Sequence, residues 1–274
     1  MERKKIAVIG VGNMGAALLR GMLRMPWAKP NVFTVSDIDG SKLKALSKEL
    51  KVKTTTSNAK AIKGADIILL AVKPQMLDQV LKEIRKELSQ KQLVISVVAG
   101  ARTDHIVSSV GKKVSVIRAM PNISALVGES ATAISAGKHS TKNDVKLAHE
   151  ILGAVGIVVE VQEHLMDAVT GLSGSGPMYV FLIAEGLSDA GVKVGLSRQT
   201  ANALAVQTLL GAAKMMKETG KHPAELKDMV TSPGGTSISA LHSLEKSGLK
   251  ASLIDAVEAA TKRSAELGDA EKKR

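Results

Sequence analysis

The chain has 274 residues, 38 basic against 26 acidic, a formal net charge of +12 and no cysteine. That length makes one or two domains at ~150 residues each and buries a core without metal or disulfide staples. The absent cysteines exclude disulfide scaffolds, thiolate zinc sites and thiol catalysis, and 45% hydrophobic with 23% charged residues is a globular composition rather than a disordered one.

At the N-terminus four charged residues run straight into a short apolar stretch. A signal peptide needs a longer apolar core and a small-residue cleavage site, and no apolar run reaches the ~18 residues of a membrane span. The expectation is a soluble, cytoplasmic protein that does not engage membranes. Two Phe, one Trp and one Tyr leave almost nothing on which bases could stack. The lysines are spread along the chain, apart from a terminal cluster at Lys272, Lys273 and Arg274. No nucleic-acid partner is therefore expected; the positive charge reads as solvated surface, with attraction of an anionic substrate or cofactor as its other use.

In chain order, residues 5–9 form a short apolar strand that enters Gly10-Val-Gly-Asn-Met-Gly15. Residues 16–25 then read as a helix stopped by Pro26. A strand at 31–35 precedes a helix at 41–50, with Leu43, Leu46 and Leu50 on one face, and a weaker strand at 53–55. Residues 67–72 are apolar at every position, the pattern of a strand buried on both faces of a parallel sheet. Leu77, Val80, Leu81, Ile84 and Leu88 keep helical spacing. Strands follow at 93–98, 115–118 and 130–135, then a helix opened by a capping box of Thr141 with Asp144 and running to 155, and a last strand at 157–161.

Strand and helix alternating at these lengths make βαβ units, so residues 1–162 read as an α/β domain with a Rossmann-like, doubly wound, mostly parallel sheet. Beyond Gln162 only helices are expected, at 178–190, 197–218, 223–230, 237–246 and 251–267, with Gly191, Gly220 and Gly248 at helix ends. Residues 163–274 thus read as an all-α domain. Its long apolar helices, with Ala203, Leu204, Val206, Leu209, Leu210 and Met216, carry more apolar surface than a small bundle hides, which points to a homodimer; a compact monomeric bundle is the alternative.

Gly10, Gly12 and Gly15 carry the sharpest chemical signal. Directly after a strand and opening a helix, they permit a tight turn and the close approach of a pyrophosphate to free helix N–H groups; the plain alternative is a tight strand-to-helix turn. Asp37 follows Gly15 by about 20 residues, the distance at which a carboxylate meets the ribose hydroxyls of NAD and repels a 2′-phosphate. Ser36 before it and Lys42 beyond it leave room for NADP, and Asp37 could instead cap the next helix. Ala71-Val72-Lys73-Pro74 sits at a strand's carboxyl end, in the ligand crevice of such a sheet, although Lys73 could equally be solvated. Gly171 to Pro177 is a glycine-rich junction that could approach a ligand or act as a hinge. Ser232-Pro-Gly-Gly-Thr-Ser237 is a second glycine loop at a helix start, suited to a carboxylate, or simply to capping by Thr236 or Ser237. The six histidines lack metal-ligand spacing, and no metal site is expected.

The order GVGNMG, Asn58, AVKP, Met120-Pro121-Asn122, GLSGSGP and SPGGTS resembles the pyrroline-5-carboxylate reductase family over nearly the whole chain. The resemblance implies a Rossmann domain, a helical dimerisation domain whose dimers could assemble into a ring, and reduction of L-1-pyrroline-5-carboxylate to L-proline by NADPH or NADH. By position it assigns Gly12, Asn13, Met14 and Gly15 to the pyrophosphate and Asn58 to the adenosine ribose. Ala71, Lys73 and Pro74 would lie along the cofactor, with Ala99 and Gly100 at its nicotinamide end. Ser232, Gly235, Thr236 and Ser237 would hold the substrate beside the nicotinamide of the partner subunit, with Ser237 as the catalytic hydroxyl. The family usually has Thr at Ser237; serine keeps the hydroxyl and loses the methyl that restricts its rotamer. The nearest rival, a 3-hydroxy acid dehydrogenase of the same architecture, carries a lysine where this chain has Val180. A non-catalytic NAD sensor would keep GVGNMG but need not keep SPGGTS.

Overall fold

The computed structural model describes residues 4–272, and side chains as far as residue 268. The basic cluster at Lys272, Lys273 and Arg274 lies outside the described residues and side chains. The strands are β1 (Ile6–Ile9), β2 (Phe33–Ser36), β3 (Lys53–Thr55), β4 (Ile67–Leu70), β5 (Leu93–Ser96), β6 (Ser115–Met120), β7 (Ser130–Ala136) and β8 (Gly156–Glu160). Among the described residues they form one sheet in the order β3-β2-β1-β4-β5-β6-β7-β8. β1 to β6 are parallel, β7 runs antiparallel to β6, and β8 is parallel to β7. The first six have the order of a dinucleotide-binding sheet, with the topological switch between β1 and β4.

Alternation along the strands builds two cores. Ile6, Val8, Val35, Leu69, Ile95 and Ile117 face α1 (Asn13–Leu23), α2 (Gly40–Leu50) and α6 (Lys142–Leu152). Ala7, Ile9, Ile68, Leu70, Val94 and Val116 face the other way, under α3 (Asn58–Ile62), α4 (Leu77–Ile84) and α5 (Thr103–Val110). All four residues of β4 are buried, as a strand covered on both faces requires. The predicted capping box is present on α6: the Thr141 hydroxyl accepts from Asp144 N–H at 3.2 Å, and the Asp144 carboxylate accepts from Thr141 N–H at 2.8 Å.

By compactness the chain forms two units, one of residues up to Ser175 together with those from Ala259 onward, the other Gly176–Glu258. The secondary structure does turn purely helical after β8. The segment that follows, with α7 (Met166–Val169) and a π-helical turn at Thr170–Gly174, nevertheless belongs to the sheet unit. Three polar ties hold it there. Glu163 accepts from the N–H and hydroxyl of Thr103 at 2.8 and 2.7 Å, capping α5 from 60 residues away. Asn122 Nδ2 donates to the Ser173 carbonyl at 3.1 Å. Ser264, on α12 (Leu249–Lys272), donates to Asp167 at 2.7 Å. Arg118 on β6 is 7% exposed, with its guanidinium 3.7 Å from Glu163. Burial lowers its pKa, and the carboxylates of Glu163 and Asp167 oppose that shift.

The second unit holds α8 (Gly176–Lys193), α9 (Arg198–Thr219), α10 (Pro223–Met229), α11 (Thr236–Lys246) and the first turns of α12. Ser197 caps α9, and Gly220 ends it with φ +63°. Gly191 does not end α8, which runs two residues further. A Cβ there would sit 2.8 Å from Ala201 Cβ, so this glycine serves the close packing of α8 on α9. Phe181, Leu182, Leu204, Val206 and Leu210 are each more than half exposed, an apolar surface this unit leaves uncovered.

The Glu163 carboxylate caps a helix and faces a buried guanidinium at once. Glu163→Ala is expected to lower the unfolding free energy by about 2–3 kcal/mol, a discount on a fully buried pair because Glu163 is partly exposed. Urea unfolding followed by circular dichroism measures this, and a loss under about 0.5 kcal/mol would show that neither role matters.

Candidate active site

The turn from β1 to α1 is pressed against the end of β4. Gly10 has φ +91°, and a Cβ there would lie 2.6 Å from the Ala71 carbonyl oxygen. A Cβ on Gly15 would collide with the Gly10 carbonyl. Gly12 differs: a Cβ would meet nothing within 4 Å, and its φ of −64° is ordinary. Gly12 is the N-cap of α1, no side chain caps that helix, and no acidic residue stands in its first turn. α1 therefore starts at Asn13, three residues earlier than its hydrophobic pattern suggests, because the glycine loop itself supplies the first turn. The uncapped start of α1 thus borders open space at Gly12, which fits an anion at a helix N-terminus.

The adjoining polar groups are mostly engaged by the protein. The Asp37 carboxylate accepts from Val11 N–H at 2.8 Å and from Asp39 N–H at 2.9 Å, one bond to each oxygen. Asp39, not Asp37, caps α2, accepting from Ser41 and Lys42 N–H. Lys42 lies 3.7 Å from Asp39. Asp39 is held below its ordinary pKa by the Ser41 hydroxyl first and the Lys42 N–H next. Ser36, fully buried, donates from its hydroxyl to Asn58 Oδ1 at 2.8 Å.

Beyond β4, Ala71 and Val72 are half-buried and Lys73 is exposed, with Pro74 opening a short 3₁₀ turn. Pro74, Ala99 and Gly100 line one cavity of about 680 Å³, together with Thr170, Ser175 and Arg263. Gly100 has φ +76°, which only glycine adopts readily. His105 and Asp78 share the wall, with His105 Nε2 2.7 Å from Asp78 Oδ1. No metal-ligating group of three occurs among the described residues.

Ser232 to Ser237 lies in the helical unit. Gly234 has φ +68°, and a Cβ on Gly235 would strike the Ser232 hydroxyl. Gly235 N–H donates to the Ser232 carbonyl at 3.0 Å, closing the turn. Gly235 is the N-cap of α11, and neither Thr236 nor Ser237 caps it. The simple capping role is thereby excluded, and the first-turn N–H groups stand beside two hydroxyls.

Sequence reasoning missed Glu83, Gln79, Thr170, Ser175 and the Asp78–His105 pair. Glu83 follows Gln79 by one helical turn on α4, a spacing visible in the sequence but without a partner to give it meaning. The others meet the site only through the fold.

A doubly wound sheet of this strand order, with a glycine turn and an uncapped helix at its switch point, defines a dinucleotide-binding protein. Residues 5–100 match a family model described as NADP oxidoreductase, coenzyme F420-dependent, and residues 163–267 match one described as pyrroline-5-carboxylate reductase dimerisation. A pyrroline-5-carboxylate reductase of Methanosarcina acetivorans is 47% identical over 268 residues, 98% of this chain and 99% of that protein. A pyrroline-5-carboxylate reductase structure from Coxiella burnetii superposes with a TM-score of 0.93 at 38% identity, over 96% of this chain and 98% of that one. The Plasmodium falciparum pyrroline carboxylate reductase, solved with NADP bound, gives 0.87 at 35%, over 98% and 99%. The chain belongs to the pyrroline-5-carboxylate reductase family.

Because both Asp37 oxygens hold backbone N–H groups, Asp37→Ala should loosen the glycine loop for either cofactor. Binding of NADH and NADPH is expected to weaken by comparable factors, roughly tenfold each for a hydrogen bond to a charged group. Titration of nicotinamide fluorescence measures both. A ratio shifted more than about fivefold towards NADPH would show instead that the carboxylate faces the ribose.

Proposed function

We propose that this protein reduces L-1-pyrroline-5-carboxylate to L-proline with NADPH or NADH, the last step of proline biosynthesis, working in the cytoplasm as a homodimer whose dimers could close into a ring. The observation that carries the reading is the uncapped glycine turn at the start of α11, paired in one chain with the uncapped glycine turn at the start of α1. One suits a small carboxylate beside hydroxyls, the other a pyrophosphate.

On this reading Gly10, Gly12, Asn13, Met14 and Gly15 hold the pyrophosphate by main-chain N–H groups. Ser36, Asp37 and Asn58 form the adenosine end. Ala71, Val72, Lys73 and Pro74 run along the cofactor, and Ala99 and Gly100 leave room for the nicotinamide ring, which supplies the hydride when bound. Reduction adds a hydride to the imine carbon and a proton to the nitrogen. An imine protonates in water before the hydride arrives, so this chain's task is alignment rather than strong acid catalysis. The Thr236 N–H and the Ser232 hydroxyl anchor the substrate carboxylate, and Gly235, whose own N–H closes the turn onto the Ser232 carbonyl, shapes that seat. The Ser237 hydroxyl faces the ring nitrogen or the carboxylate. A 3-hydroxy acid dehydrogenase would need a proton-transfer group where Val180 stands, and valine has none. The uncovered apolar residues of α8 and α9 and the dimerisation model over residues 163–267 support the homodimer.

Purified protein should oxidise NADPH and NADH when the cyclic imine is supplied and not when a 3-hydroxy acid is offered with the oxidised cofactors. Ser237→Ala should cost about ten- to a hundredfold in kcat/KM for the imine, as expected for loss of a hydrogen bond to a charged group. Cofactor affinity should be unchanged. Turnover of the hydroxy acid alone would overturn the reaction, and an undiminished Ser237→Ala would move substrate recognition to the main chain.

A further inference from the structure

A chain of polar side chains runs from the end of β2 to α4. Ser36 Oγ donates to Asn58 Oδ1 at 2.8 Å, Asn58 Nδ2 donates to Glu83 Oε2 at 2.7 Å, and Gln79 Nε2 donates to Glu83 Oε1 at 3.0 Å. Ser36 is fully buried and Asn58 is 9% exposed, whereas Glu83 lies on the exposed face of α4.

The chemistry of the links is unequal. A hydroxyl can donate or accept, so Ser36 would satisfy either end of the Asn58 amide. An ionised carboxylate only accepts, so Glu83 demands the amide nitrogen on its side and thereby sends the oxygen to Ser36. Without that carboxylate the two amide orientations become close in energy, because the hydroxyl proton simply rotates. Gln79, one turn back on the same helix, holds the second carboxylate oxygen and steadies its direction.

We propose that Glu83 is a positioning residue for the cofactor: it fixes which end of the Asn58 amide faces the adenosine ribose. This rests on the reading that Asn58 touches the cofactor. The remaining Asn58 N–H and the second lone pair of its oxygen then point in one defined sense, and a ribose hydroxyl meets a preset donor and acceptor. Glu83 acts through Asn58 and makes no reacting contact.

The test is a double-mutant cycle read as the dissociation constant of NADPH, by quenching of protein-to-nicotinamide energy transfer or by calorimetry, with no substrate present. Asn58→Ala should weaken binding about tenfold, and Glu83→Gln, which keeps the length but can present either a donor or an acceptor, about three- to fivefold. In the Asn58→Ala background Glu83→Gln should add less than about twofold. The melting temperature of Glu83→Gln should stay within about 2 °C of the parent, since a surface substitution changes stability little. The KM for the imine should not move. An Asn58→Ala variant that binds NADPH like the parent would overturn the placement of Asn58 at the cofactor, and this inference with it. Weakening by Asn58→Ala with none by Glu83→Gln would overturn the inference alone. A full, independent loss from Glu83→Gln in the Asn58→Ala background would also overturn it, by showing that Glu83 acts without Asn58.

Discussion

The absence of two side chains, at Gly10 and Gly15, is the constraint on which the rest depends. β1 and β4 pair directly, and the carbonyl of Ala71 closes against the turn that leaves β1. Ala71 N–H donates to the Ile9 carbonyl at 2.8 Å and Gly10 N–H to the Ser36 carbonyl at 2.8 Å, so three strand ends are drawn together at one point. Any Cβ at either glycine would push the turn off the sheet. The cost of that close approach is local, and its result is a helix that starts on a glycine with no side-chain cap. The same logic recurs at α11, where Gly234 and Gly235 fold the chain back and leave a second helix start uncapped.

Around the first turn, acidic groups serve structure before ligand. Asp37 braces Val11, Asp39 caps α2, and Glu83 accepts from the Asn58 amide. Each carboxylate is fixed by bonds of 2.5 to 3.2 Å to protein donors. Further along the same sheet, Glu163 does comparable work, capping α5 while facing Arg118.

How much of this the sequence discloses follows from the range of each interaction. Most strands are legible because burial on two faces writes an unbroken apolar run, as in β4, and a half-buried face writes alternation; β3, three residues of Lys-Thr-Thr, is too short and polar to write either and is the weakest signal. The capping box at Thr141 and the stop at Gly220 are legible because both partners lie within a few residues. Helix α5 is not: its sequence, with Ile106, Val107 and Val110, favours strand, and its cap comes from Glu163 far along the chain. Gly191 misleads for the same reason, since its meaning lies in Ala201 on the next helix. In the site, the spacing of Gly10, Gly12 and Gly15 announces a dinucleotide seat. The division of labour between Asp37 and Asp39 depends on where their carboxylates point, which spacing alone does not determine.

Gly10 and Gly15 are the structural glycines of the turn, and the proposed seat of the pyrophosphate is the open space at Gly12. The direct measurement is NADPH binding and thermal unfolding of Gly12→Ala side by side. The variant should melt within about 2 °C of the parent, because the added Cβ meets nothing. NADPH binding should weaken roughly tenfold or more, at least ~1.4 kcal/mol. A Gly12→Ala protein that binds NADPH as tightly as the parent would contradict it.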